Sequence, residues 1–188
     1  DVDADGDWDN AGNWTGATGF PDGTADIARL IEDITGDRTV TIPTGGVTVE
    51  ELIAGDPNAS HTYILDGGPL TITTASNSHP GVTLNDNATV RIDSDITMDS
   101  NNMMMRGDNS GANETLILNG KMSRTQSFFE ATVERGLTAV VNTTQSTDLR
   151  AGSGGTVAVG LDGQIDTINF RVLQNGTLTT DGLDRSLT

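Results

Sequence analysis

The sequence predicts an all-β fold, a β-solenoid with about 20 residues per coil. Three observations carry that expectation. A threonine-rich strand, an aliphatic residue and a tight polar corner recur in that order along the chain. Alternating strands follow most corners at once, as in Leu70-Thr71-Ile72, Val90-Arg91-Ile92 and Leu178-Thr179-Thr180. Hydrophobic residues make up 34% and aromatics 4% of the 188 residues. That is thin for a compact globule, but it suffices for a solenoid in which small β-branched residues stack.

The corners read Leu65-Asp66-Gly67-Gly68, Leu84-Asn85-Asp86-Asn87, Leu118-Asn119-Gly120, Leu161-Asp162-Gly163 and Leu173-Gln174-Asn175-Gly176. Asp, Asn and Gly suit such places because they tolerate positive φ or bond their own backbone. Leu65, Leu84, Leu118 and Leu161 stand 19, 34 and 43 residues apart (84 − 65, 118 − 84, 161 − 118). A period of about 20 follows if the longer gaps hide further coils. The whole chain, 1–188, is therefore expected to be one solenoid domain. Residues 1–36 would form an N-terminal cap or first coil and 37–188 the remaining coils.

The net charge of −17 disfavours nucleic acid, since phosphates need a basic face. It suits a crowded or saline exterior and supplies carboxylates for divalent cations. Cysteine is absent, which decides nothing about redox compartment. No apolar run is long enough for a membrane span. The ends, Asp1 in an acidic run and Thr188 just after a strand, suggest a processed secreted product or a piece of a longer chain.

The N-terminal stretch places Asp1, Asp3, Asp5, Asp7 and Asp9 at alternate positions with Gly6 at the sixth. That is the first half of an EF-hand-like calcium loop, although Gly12 stands where a bidentate Glu belongs. Bound calcium and a solvated acidic terminus are the two readings. Trp8 and Trp14 either cover the open end of the solenoid or form a sugar-stacking contact. Ile27, Leu30, Ile31 and Ile34 recur at helical spacing over 24–36, so the pattern alone leans to a helix there, with a strand at 26–31 as the other reading. Ser127, Glu130 and Gly136 frame a short lateral helix near 127–136.

Trp8, Asn13-Trp14, Pro21 and Asp26-Ile27-Ala28 lead into Val47-Thr48-Val49-Glu50-Glu51-Leu52 and Tyr63-Ile64-Leu65-Asp66-Gly67-Gly68-Pro69-Leu70-Thr71-Ile72. This order resembles the start of autotransporter-type passenger β-helices and related repeat-rich bacterial surface proteins, over roughly residues 1–75. The resemblance implies a right-handed parallel β-helix, secreted or surface-exposed, with a strand at 26–31. It implies no activity, because such helices serve mostly as stalks, adhesins or scaffolds.

Asp93 and Asp95 sit two apart in the best-alternating segment, 88–99, roughly 7 Å between side chains on one strand face. That separation suits an inverting glycosidase pair, against the reading of a solvated acidic ladder beside Arg91. A polysaccharide lyase would have only Lys121 and Arg124 as a basic pair, and an acidic polymer would be repelled. His61 and His79 have neither a serine elbow nor metal-ligand spacing around them. Arg106-Gly107-Asp108 reads as a turn rather than an integrin ligand. Six Asn-x-Ser/Thr triplets start at Asn13, Asn58, Asn87, Asn113, Asn142 and Asn175 and are glycosylation candidates.

The expected function is structural. An extracellular solenoid without a recognisable active site suits a surface filament, sheath or stalk, self-associating end to end or by strand exchange. An adhesin or carbohydrate-binding module for surface glycans is the alternative, and a polysaccharide-cleaving β-helix the second. Calcium is the one cofactor the residues suggest.

Overall fold

The computed structural model describes residues 3–15, 19–73, 81–99, 102–108, 113–125, 130–145, 148–160, 164–165, 171–172 and 174–180. It is a parallel β-solenoid. The first face has eight strands, Gly6–Asp7, Arg38–Ile42, Thr62–Gly67, Thr89–Ile92, Thr115–Leu118, Thr138–Val141, Thr156–Val159 and Thr177–Thr180, among the described residues. The second has seven, Ile27–Leu30, Glu51–Ala54, Val82–Leu84, Asn102–Gly107, Glu130–Glu134, Asp148–Ala151 and Arg171–Val172. The third has four, Val47–Val49, Leu70–Ile72, Ile96–Met98 and Met122–Arg124. In the later coils a two-stranded sheet, Thr144–Gln145 with Gln164–Ile165, follows the first face in chain order. From the second coil on, the chain runs first face, third face, second face, and pairs one coil further along.

Alternation explains which side chains line the core. Leu65, Ile92, Leu118, Val141 and Val159 lie in register and are all buried. Leu52, Val82, Met105, Val133 and Ala151 stack likewise on the second face, and Val47, Leu70, Ile96 and Met122 on the third. Each coil thus supplies a few apolar side chains, and stacking joins them into one continuous core.

The 20-residue period does not hold. The Leu65 ladder advances by 27 (65 to 92), 26 (92 to 118), 23 (118 to 141) and then 18 residues (141 to 159). The counted leucines misled because they belong to different faces. Leu65 ends a first-face strand, whereas Leu84 ends a second-face strand. What reads as one recurring corner is two. Asp66-Gly67-Gly68 and Asn119-Gly120 leave the first face, while Asn85-Asp86-Asn87 and Gln174-Asn175-Gly176 enter it. The expected positive φ occurs at Asp86 (61°), Asn87 (62°) and Asn175 (63°) of the entering corners and at Gly67 (103°) of a leaving one, and further at Arg135 (58°), Gly136 (84°) and Gly154 (73°) of entering corners not foreseen. The corner at 161–163 lies outside the described residues.

The choice between helix and strand over 24–36 is resolved as the strand that the resemblance implies, and the lateral helix near 127–136 is corrected. Ile27–Leu30 is a strand, with Ala28 and Leu30 buried and Ile27 and Arg29 exposed. It pairs residue for residue with Glu51–Ala54 of the next coil, and that partner overrides the local helical spacing. Glu130–Glu134 is likewise a strand, held between Asn102–Gly107 and Asp148–Ala151. Residues 127–129 of the expected lateral helix lie outside the described residues. A single 3-10 turn, Ala11–Asn13, is the helical element among the described residues, capped by the Asn10 side chain on Gly12 N. No described helix is long and apolar enough to cross a membrane.

Candidate functional site

At the N-terminal end the acidic side chains act as hydrogen-bond acceptors for the first coil. Asp3 Oδ1 accepts from Thr35 N at 3.0 Å and from Arg38 Nε at 2.8 Å, and its Oδ2 accepts from Thr35 Oγ1 at 2.7 Å. Those donors, Thr35 first, hold the Asp3 carboxyl down at about 2. Asp5 Oδ1 accepts from Thr39 N at 2.8 Å, and Asp22 Oδ1 from Thr48 N at 2.8 Å. The Asp26 carbonyl takes Glu50 N at 2.7 Å. The strand N–H groups of Thr39 and Thr48 are thereby occupied, while Ile27–Leu30 remains the outer strand of the second face among the described residues. Asp7 lies in the two-residue strand against Thr41, and its carbonyl accepts from Asn13 Nδ2. Asp9 is exposed in the turn that follows. Asp1 lies outside the described residues. Among the described residues, no three His, Cys, Asp or Glu side chains converge where they could hold a metal ion.

Trp8 is fully buried, so its ring cannot serve as a sugar-stacking contact. Its Nε1 donates to the Pro21 carbonyl at 2.8 Å, and Trp14 Nε1 donates to the Trp8 carbonyl at 2.7 Å. The rings are 4.9 Å apart and tilted by 58°. This is the covering role that two large aromatics suggested. Trp14 remains half-buried and lines a small cleft with Leu30, Val40 and Tyr63. Burial pushes the Tyr63 hydroxyl up to about 12, and it donates to the Glu32 carbonyl at 3.0 Å.

Asp93 and Asp95 do not share a strand. They flank the corner at Ser94, between the strands Thr89–Ile92 and Ile96–Met98. Asp93 Oδ2 accepts from Arg91 Nε and Nη2, and its Oδ1 from Asn119 Nδ2. Asp95 Oδ1 accepts from Lys121 N one coil on, at 2.9 Å. Both carboxylates stitch coil to coil, the structural alternative to a catalytic pair. His61 sits beside Asp56, within 4.0 Å, with Ser60 Oγ against its ring nitrogen. His79 lies outside the described residues.

Three sequon asparagines bond with their side-chain amides. Asn58 donates to Asp33, Asn142 to Asn119, and Asn13 to the Asp7 carbonyl. Asn87 Oδ1 accepts from Asn113 N, and Asn175 is exposed at an entering corner.

The outer side of the first face was not singled out by sequence reasoning. Thr62, Thr89, Thr115, Thr138, Thr156 and Thr177 fall in one register rank across six consecutive strands. Beside them runs a second rank, Ile64, Arg91, Ile117, Val140, Ala158 and Thr179. All twelve side chains are half-buried or exposed. With strands about 4.8 Å apart, the ranks extend over about 24 Å. The signal was present as a threonine opening each of these strands, but unequal coil lengths hid its period.

No protein-family model matches the chain, and no curated protein and no solved structure matches it significantly.

Proposed function

We propose that the chain is a rigid structural segment of an extracellular surface protein, a stalk rather than an enzyme. The observation that carries this reading is how the described polar side chains are used. Asp3, Asp5 and Asp22 occupy N–H groups at the N-terminal end, and Asp93, Asn119 and Asn142 tie successive coils. Occupied N–H groups on the first and third faces oppose strand exchange there, which favours a stalk over a filament grown at that end. The net charge of −17 and the likeness of residues 1–75 to autotransporter-type passengers support an exterior location. Sedimentation and negative-stain microscopy over a wide concentration range test the reading, with a monodisperse monomer expected. Filaments at high concentration would restore the self-assembly reading. Expressed with its native flanking sequence, the segment should be reached by antibody on intact cells, and a signal only after permeabilisation overturns the surface placement.

A second reading, adhesion to surface glycans, is favoured by the two outer ranks of the first face. Hydroxyls at regular spacing beside short aliphatic groups offer hydrogen bonds and apolar contact to an extended polymer. Thr115→Lys with Thr138→Lys should then abolish retention on immobilised polysaccharide without changing the unfolding midpoint. Unchanged retention removes this reading.

A further inference from the structure

At the corner between the second and first faces, two coils handle a buried carboxylate differently. In the second coil Asp56 is fully buried. Its carboxylate accepts from Ile34 N, Ser60 N, His61 N and Ser60 Oγ, at 2.9 to 3.3 Å. Two coils later the corresponding corner holds Glu114, 1% exposed, and neither of its carboxylate oxygens makes a well-formed hydrogen bond. An ionised carboxylate left this way is costly, so something must compensate it.

Gly107 creates the space. Its register partner is the buried Leu84, so position 107 faces the core. A Cβ on Gly107 would lie 2.4 Å from Glu114 Oε2 and 2.6 Å from the Arg135 carbonyl oxygen. The carboxylate therefore fills the room a side chain at 107 would occupy, with a backbone carbonyl against the same spot. The Asp108 carboxyl is adjacent, and its Oδ2 also receives Asp86 N at 3.4 Å. Burial first, and then Asp108, push the Glu114 carboxyl above its ordinary range. Besides its own backbone N–H and that of Asp108, the Glu114 carboxylate meets oxygens, those of the Asp108 carboxyl and the Arg135 carbonyl. Two adjoining carboxylates with a backbone carbonyl beside them are oxygen ligands of the kind a hard cation takes.

We propose that Glu114, with Asp108 and the Arg135 carbonyl, holds a divalent cation of the calcium class at this corner, pinning it to the corresponding corner of the next coil. The site is separate from the acidic N-terminal run, and it places the ion beside a buried carboxylate.

The test is thermal unfolding and isothermal titration calorimetry of the full chain at pH 7, with calcium chloride or after chelation. Calcium at about 100-fold its dissociation constant should raise the midpoint by about 5 °C or more. Glu114→Gln should fold, lose the response to calcium, and unfold above the chelated parent because it removes an uncompensated charge. Asp108→Asn should weaken calcium binding at least tenfold with the fold retained. The absence of a midpoint shift with calcium overturns the proposal. A shift that persists in Glu114→Gln overturns it too, because the ion then sits elsewhere on the acidic surface. Stabilisation of the chelated parent by acid, with no response to calcium, would replace the cation by a proton shared between the two carboxyls.

Discussion

Asn142 donates its side-chain amide to Asn119 Oδ1 at 2.9 Å, across one coil step on the corner that leaves the first face. Asn119 in turn donates to Asp93 Oδ1 at 2.6 Å, so one amide links three coils. Replacing Asn119 by Asp removes that donor and sets a negative charge against Asp93. The variant should lose about 1–3 kcal/mol at pH 7, measured by denaturant unfolding, and recover part of it as the pH falls toward the carboxylate range. An equal loss at pH 7 and pH 4 would show that charge repulsion plays no part.

Trp8 and Trp14 should separate cleanly. Trp8 is fully buried and its indole bonds Pro21, so Trp8→Ala leaves a large cavity and an unmet carbonyl, costing about 3–5 kcal/mol. Trp14, half-buried beside it, should cost clearly less when truncated. Equal midpoints for the two variants in thermal unfolding would contradict the cap described above.

Acid sensitivity should trace in part to Asp3. Its folded pKa of about 2 lies below the unfolded 3.8, so it stabilises the fold fully above the unfolded value. That contribution drains away as the pH drops from about 4 through about 2. Asp56 acts in the same direction. Burial opposes its ionisation, but the N–H groups of His61, Ile34 and Ser60 outweigh burial and hold its carboxyl below the usual range. In a pH series of unfolding midpoints, Asp3→Asn should flatten the curve below pH 4, and Asp56→Asn should do so as well. A curve parallel to the parent's would exclude these groups as the source.

Gly120 tolerates no side chain. A Cβ there would lie 1.9 Å from the Ser94 carbonyl oxygen of the preceding coil, a contact with backbone that cannot rotate away. Gly120→Ala should therefore destabilise by roughly 1–3 kcal/mol or more. Gly45→Ala, where nothing lies within 4 Å, is the control and should stay close to the parent. Comparable loss in both would refute the steric account.

The fold class and the inward side of the alternating segments were legible in the order of the amino acids. Strand alternation has a period of two and needs no knowledge of neighbours, so Val90, Ile92, Ile96 and Met98 were legible as core before any pairing was known. The polar corners were legible too, because Asp86, Asn87 and Asn175 favour positive φ for local reasons. Register was not. Coils of 18 to 27 residues on one ladder leave no fixed period to count, and Leu65 and Leu84 look alike in sequence while ending strands of different faces. Stacking settled the choice between helix and strand for Ile27–Leu30, since its hydrogen-bond partners are a coil away. It likewise decided that Asp3 and Asp5 occupy edge N–H groups, that Asp93 and Asp95 lie on either side of a corner, and that Glu114 fills the space left by Gly107. A side chain's chemistry is local, but what it meets in a solenoid is set by stacking, from roughly 18 to 35 residues away.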